Sequence, residues 1–140
     1  MAREASDARS EPLAKALIVG ANRGIGLGLV EAFAEKGWAV LATYRSEASA
    51  GELRALAAAS DHVALEQVDI AEKASAEALR ARLKGETFDL LFVNAGMGGP
   101  AANPRTVERD MVANLFETNA VGPVRLAELL ARQVTPQTGV

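Results

Sequence analysis

Glycines and an arginine share one short stretch that could bind a phosphate group. The stretch Val19-Gly20-Ala21-Asn22-Arg23-Gly24-Ile25-Gly26 follows a continuous apolar run and precedes a helical pattern. Glycine lets the chain reverse tightly and brings backbone N–H groups close to a ligand, and the N-terminal end of a helix attracts anions. The stretch therefore predicts a site for the pyrophosphate of a dinucleotide. The alternative is that the glycines serve only the turn and the packing of the helix.

Charge after the second apolar run bears on which dinucleotide would bind. Arg45 follows that run, Arg23 lies in the glycine loop, and no Asp or Glu occurs between Trp38 and Ser46. A carboxylate at this position would accept a hydrogen bond from the ribose of NAD, whereas guanidinium groups suit the 2′-phosphate of NADP. The two arginines therefore favour NADP(H) over NAD(H). The alternative is a pair of solvated surface arginines.

The elements that must hold these residues alternate between apolar runs and helical patterns. Strands are predicted at 16–19, 38–44, 63–68 and 88–93, and helices at 24–36, 49–59, 71–84 and 105–132, the last interrupted by Gly122-Pro123. This rhythm predicts an α/β fold, a Rossmann-type doubly wound parallel sheet with strand order 3-2-1-4. The fourth strand would then be an open edge, with the helix residues Leu126, Leu129 and Leu130 only partly covered. Because such edges are rarely left bare, the domain is expected to be truncated after about four βα units.

Composition narrows the class of protein. The chain has 140 residues, of which 49% are hydrophobic and 24% are charged, so one folded domain is expected at 13–140, after a disordered tail at 1–12. A net charge of −3 argues against nucleic acid and anionic membrane as partners. With no cysteine and the single histidine His62, no metal site is expected. The polar N-terminus and the lack of a long apolar segment predict a cytoplasmic protein.

The spacing Gly-x-x-x-Gly-x-Gly resembles that of the short-chain dehydrogenase/reductase family. Three further motifs agree in order: Asp69 after the third strand, Asn94-Ala95-Gly96 after the fourth, and Asn119 within the stretch 118–123. The resemblance covers about residues 15–140 and looks closest to the carbonyl-reductase and C-factor-like branch. It implies an oxidoreductase that transfers hydride between NADP(H) and a small carbonyl or alcohol substrate.

The resemblance also implies roles for single residues. Asp69 would contact the adenine, Asn94 and Gly96 would border the cofactor, and Asn119 would be the catalytic-relay residue whose carbonyl holds a water. Asn119 has a physical basis as well, since Pro123 has no N–H to donate to the Asn119 carbonyl four residues earlier; the alternative is a kink that merely follows the sheet. The residues assigned to the cofactor are Gly20, Asn22, Arg23, Gly24, Ile25, Gly26, Tyr44, Arg45, Asp69, Ile70, Asn94, Ala95 and Gly96.

Part of the family's chemistry has no counterpart in these 140 residues. The family uses a Ser and a Tyr-x-x-x-Lys, but Tyr44 is the only tyrosine, Ala48 stands four residues after it, and no serine follows Ser75. The first hypothesis is therefore the N-terminal portion of an NADP(H)-dependent oxidoreductase. The alternatives are a non-catalytic NADP(H)-binding module and an interaction protein that pairs through its open edge. A homo-oligomer or an edge-strand association is expected in either case.

Overall fold

The computed structural model describes residues 14–94 and 108–139, which form one parallel sheet with helices on both faces. The strands are β1 (Lys15–Val19), β2 (Ala39–Tyr44), β3 (Val63–Gln67), β4 (Phe88–Val93) and β5 (Val134–Gly139). The α-helices are α1 (Gly24–Glu35), α2 (Gly51–Ala58), α3 (Lys73–Arg82), α4 (Arg109–Phe116) and α5 (Gly122–Leu130). Single turns of 3₁₀-helix lie at Glu47–Ser49 and Ala131–Gln133, and a π-helical turn lies at Glu117–Val121.

The strand order in the sheet is β3-β2-β1-β4-β5, with every neighbouring pair parallel. This confirms the predicted α/β class and the predicted order 3-2-1-4 of the first four strands. β1 lies between β2 and β4, and all its residues after Lys15 are almost completely buried, as expected for a strand covered on both faces. The carboxyl ends of β1, β2, β3 and β4 consequently meet at one edge of the sheet.

Alternate residues of β1 enter two separate cores. Leu17 and Val19 belong to the core on the face covered by α3 and α5, whereas Ala16 and Ile18 belong to the core on the face covered by α1 and α2. Side chains of a strand point alternately to the two faces of a sheet, so one apolar run serves both cores.

The expectation that β4 is an open edge is wrong. β5 pairs with β4, with Phe88 opposite Val134 and Leu90 opposite Gly139, and the register shifts between these two positions. The sequence 134–139 lacks an apolar run, and its Pro136 has no N–H for a ladder, so its pattern does not read as a strand. The tertiary partner, the exposed backbone of β4, decides the conformation of this segment instead.

Hydrogen bonds of the Gln133 side chain also position the chain beside β4. The Gln133 amide nitrogen donates to the backbone carbonyl of Leu83, at 2.6 Å, and to that of Glu86, at 3.2 Å. Both carbonyls belong to the connection between α3 and β4, so they hold the start of β5 beside β4.

The final helical region is divided by the π-helical turn. The Gly122 N–H donates to the Glu117 carbonyl, five residues back, and Pro123 follows in the first turn of α5, where a missing N–H costs little. A side chain at Gly122 would lie 2.7 Å from the Ile70 carbonyl oxygen, so α5 begins directly against the turn between β3 and α3. Leu126 and Leu130 are fully buried in the core, and the expectation that they are only partly covered is therefore wrong.

Candidate functional site

A cavity of about 350 Å³ lies at the carboxyl edge of the sheet, above β1, β2, β3 and β4. Ligands of open α/β sheets bind in the crevice at this edge, where the strand order reverses. Nine of the residues assigned to the cofactor from the sequence line it: Gly20, Asn22, Arg23, Gly24, Ile25, Arg45, Asp69, Ile70 and Asn94. The structure thus brings together residues that are up to 74 positions apart.

The glycines of the loop between β1 and α1 do different things. Gly20 and Gly24 adopt positive φ values of 83° and 58°, a region that other residues rarely enter. A side chain at Gly24 would meet no atom within 4 Å, so its backbone faces open space at the cavity. A side chain at Gly26 would collide with the carbonyl oxygen of Gly20 and lie 2.9 Å from the Ala21 Cα. Gly26 therefore packs the helix against its own loop and does not line the cavity.

Thr43 near the end of β2 fixes the glycine loop, and sequence reasoning missed it. The Gly20 N–H donates to the Thr43 hydroxyl at 3.2 Å, and the Ala21 N–H donates to the Thr43 carbonyl at 2.8 Å. The Thr43 side chain is buried and also lines the cavity. The only signal in the sequence is a hydroxyl residue inside an otherwise apolar run, which does not reveal a partner 23 residues away.

Asn94 ties the same loop to the end of β4. Its backbone N–H donates to the Val19 carbonyl at 2.8 Å, and its side-chain amide donates to the Gly20 carbonyl at 3.3 Å. The loop is therefore held from both neighbouring strands, which preorganises its backbone for a ligand.

Asp69 sits in a tight turn between β3 and α3. Its side chain accepts a hydrogen bond from the Ala71 N–H at 3.0 Å, while its own N–H donates to the Ser75 hydroxyl at 2.9 Å. These bonds hold the half-buried Asp69 and its neighbour Ile70 in the wall of the cavity.

Arg23 and Arg45 are exposed at the cavity. Among the residues that the structure describes, neither guanidinium makes an ion pair, in contrast to Arg54, Arg82 and Arg125. The glycine loop approaches the turn after β2, since the Asn22 amide donates to the Ser49 carbonyl at 3.5 Å. The two cations are thus available to an anionic ligand.

Tyr44 does not line this cavity; it lines a neighbouring one that shares Arg45 and Asp69 with it, and its assignment to the cofactor stays a prediction. Thr43 and Tyr44 are consecutive in β2 and point to opposite faces, so when Thr43 holds the glycine loop the Tyr44 ring enters the core of α1 and α2. The Tyr44 hydroxyl donates to the Glu47 carboxylate and accepts from Arg54, each at 2.7 Å. The hydrogen bond with Glu47 raises the pKa of Tyr44 and lowers the pKa of Glu47.

Asn119 is exposed on the π-helical turn, and it is the neighbouring Thr118, buried and unassigned from the sequence, that lines the cavity. Asn119 does have a bonding partner, so it is not a free group. Its catalytic role stays a prediction. Ala95 and Gly96 lie outside the described residues.

Two further properties concern the described residues as a set. They contain no group of three or more His, Cys, Asp or Glu side chains placed to hold a metal ion. Within 14–94 and 108–139, no helix combines the length and the apolar character that crossing a membrane requires.

The family model for short chain dehydrogenases matches residues 14–140. Human 17-beta-hydroxysteroid dehydrogenase type 1 is 34% identical over 121 residues, which is 80% of this chain and 36% of that protein. An uncharacterised oxidoreductase of Schizosaccharomyces pombe is 30% identical over 113 residues, 79% of this chain and 44% of that protein.

Solved structures agree with these matches. A protein from Burkholderia multivorans described as a short-chain dehydrogenase/reductase, with bound NADP, superposes with a TM-score of 0.81 at 39% identity, covering 89% of this chain and 55% of that one. A carbonyl reductase from Pseudomonas aeruginosa PAO1 in complex with NADP gives 0.80 at 37% identity, covering 87% and 56%. The chain spans less than half of the two curated relatives and slightly more than half of the two solved chains. By fold, motifs and family match, this chain belongs to the short-chain dehydrogenase/reductase family of oxidoreductases.

Proposed function

We propose that this chain binds NADP(H) in the cavity at the carboxyl edge of the sheet. The observation that carries the proposal is the pair of exposed guanidinium groups of Arg23 and Arg45, which make no ion pair within residues 14–94 and 108–139, beside a loop of glycine backbone. In the whole protein, NADPH would supply a hydride to a small carbonyl substrate, or NADP would accept one from an alcohol. NADP bound in two similar solved structures supports the cofactor.

Each part of the cavity has a distinct task in this proposal. The backbone N–H groups of the glycine loop and the N-terminal end of α1 bind the pyrophosphate. Arg23 and Arg45 bind the 2′-phosphate through charge-assisted hydrogen bonds. Asp69 and Ile70 contact the adenine, and Asn94 borders the ribose while it holds the loop. Asn119 would hold a water for proton transfer.

A second candidate is a module that binds NADP(H) without turning over a substrate. It is favoured by the position of the only tyrosine, Tyr44, whose hydroxyl is engaged by Glu47 and Arg54 and does not face the cavity. Consumption of NADPH in the presence of aldehydes and ketones separates the two candidates. Steady turnover by the 140-residue chain would exclude the non-catalytic module.

Titration of the chain with NADPH and with NADH, followed by fluorescence, tests the cofactor assignment. We expect tighter binding of NADPH, and we expect Arg45→Ala to remove most of that preference, at a cost on the order of 1–3 kcal/mol for a lost charge-assisted contact. Binding of NADH should change little. Arg80→Ala, which removes an exposed arginine from α3 outside the cavity, is the matched control. Equal affinities for the two cofactors would contradict the proposal.

A further inference from the structure

The turn between β2 and α2 carries a carboxylate between two residues of the cavity wall. Arg45 and Ser49 line the cavity, but Glu47, midway between them, does not. Glu47 is exposed, so burial does not keep it away. Hydrogen bonds with Arg54 and Tyr44, which do not line the cavity either, keep the Glu47 carboxylate out of it.

Glu47 is held by both Arg54 and Tyr44. The Nη2 atom of Arg54 lies 2.7 Å from each carboxylate oxygen, and its Nε lies 3.2 Å from Oε2. The Tyr44 hydroxyl donates to Oε1 at 2.7 Å, and Arg54 donates to that hydroxyl and stacks over the Tyr44 ring, 5.2 Å from its centroid. The three side chains, named here the Glu47 cluster, form a closed set in which each member contacts the other two.

The position of this carboxylate matters for a phosphate beside Arg45. A free Glu47, two residues away on the same turn, could pair with the Arg45 guanidinium and would repel a phosphate there. In the structure, Arg54 compensates the charge of Glu47, while Arg45 has no ion-pair partner among the described residues. Arg54 thus takes the carboxylate that could otherwise occupy Arg45.

We infer that the Glu47 cluster sets the preference for the 2′-phosphorylated cofactor by holding Glu47 away from Arg45. Arg54 and Tyr44 are positioning residues in this arrangement, since neither lines the cavity. The inference rests on the proposed binding of NADP(H). Arg54, nine positions after the arginine that would touch the phosphate, thereby contributes to the specificity for the cofactor.

The test compares the ratio of NADPH to NADH affinity in four chains: wild type, Arg54→Met, Glu47→Gln, and the double variant. We expect Arg54→Met to weaken NADPH binding by roughly two- to fivefold, the size of one exposed charge interaction, and to leave NADH binding nearly unchanged. The loss should shrink at high salt, because exposed charges are screened. Glu47→Gln should keep or raise the preference, and the double variant should restore it.

Rescue by the second substitution distinguishes an effect of charge from a loss of structure. Lys73→Met breaks a comparable exposed ion pair, with Glu77 on α3, and is the matched control. Because Tyr44 is the only tyrosine, the absorbance of its phenolate reports the cluster directly, and its pKa should fall in Glu47→Gln.

The possible failures are distinct. If wild type binds both cofactors equally, the proposed function fails. If wild type prefers NADPH but Arg54→Met keeps the full preference, or the double variant does not restore it, the inference is overturned. A reduced preference in Glu47→Gln would overturn it as well, and that variant remains decisive if Arg54→Met does not fold.

Discussion

Gly26 and Gly28 lie two residues apart in α1, yet a methyl group would meet different surroundings at each. At Gly26 it would collide with the carbonyl oxygen of Gly20, which is backbone and cannot move without shifting the loop. At Gly28 it would meet no atom within 4 Å. The two positions therefore separate a glycine required by packing from one that packing does not require.

We expect Gly26→Ala to destabilise the chain and Gly28→Ala to stabilise it. Overpacking that forces a backbone shift costs about 1–3 kcal/mol, whereas replacing an unhindered helical glycine by alanine gains about 0.5–1 kcal/mol. Urea unfolding of the two variants and of wild type measures both effects.

Gly28→Ala is the internal control, since both changes add one methyl group to the same helix. Equal stabilities of the two variants would mean that α1 does not pack on its loop as described. Gly26→Ala should also weaken cofactor binding, because the displaced loop carries the N–H groups proposed to bind the pyrophosphate.

Residues of the candidate site are predictable from the sequence where the residue type alone indicates the chemistry. Glycines before a helix and arginines after a strand signal an anion site without knowledge of their neighbours, and most of them line the cavity. Thr43 and Thr118 were missed because a threonine in an apolar run or a helix is chemically unremarkable until its partner is known. Tyr44 lies on the opposite face of β2 from Thr43, and this register is a property of the sheet that the residue type does not reveal; its assignment to the cofactor stays a prediction.

At the scale of elements, α5 shows how one helix closes the core. Leu126 and Leu130 are fully buried against β1, β4 and α3, while Leu129 in the same helix is only partly buried. The buried pair has the i, i+4 spacing of one helical face.

Leu126→Ala should therefore cost about 2–5 kcal/mol of unfolding free energy, and Leu129→Ala clearly less. The difference arises because Leu126 leaves a cavity in a packed core, whereas the site of Leu129 can partly refill with solvent. Denaturant unfolding of the two variants is the measurement. Similar losses from both substitutions would show that α5 does not dock through this face.

Strands and helices are predictable from the sequence where the hydrophobic pattern is strong, and are missed where a neighbouring element determines the conformation. The predicted fourth strand, 88–93, coincides with β4, since six residues bounded by Thr87 and Asn94 suit a buried strand. The interruption at Gly122-Pro123 was expected from the missing N–H of proline. The π-helical turn before Gly122 and the close approach of Gly122 to the Ile70 carbonyl are features of the packed structure that the sequence does not reveal. β5 depends on β4 in the same way.

At the scale of the whole molecule, β5 changes what the sheet exposes. With β4 as an edge, another chain could pair with it, and the hypothesis of an interaction protein relied on that edge. Pairing with β5 covers the β4 backbone and removes this support. Within the described residues, the outer strands of the sheet are β3 and β5.

Hydrogen exchange can read this arrangement amide by amide. Along a parallel strand, successive N–H groups point alternately to the two neighbours, so the amides of β4 divide into a set that faces β1 and a set that faces β5. The amides that face β1 should be protected from exchange whether or not β5 is paired with β4. We expect both sets to be protected in the wild-type chain, because local opening of a strand paired on two sides approaches global unfolding in its free energy.

Gln133→Ala sharpens the measurement, because it removes the hydrogen bonds to the Leu83 and Glu86 carbonyls without changing the strands. We expect it to speed exchange in the β5-facing set of β4 and to leave the β1-facing set and β1 itself unchanged. Uniformly faster exchange would indicate a global loss of stability and no specific release of β5. Fast exchange at alternate amides of β4 in the wild-type chain would contradict the five-stranded sheet, and association of the chain in light scattering would then be expected through the bare β4 edge.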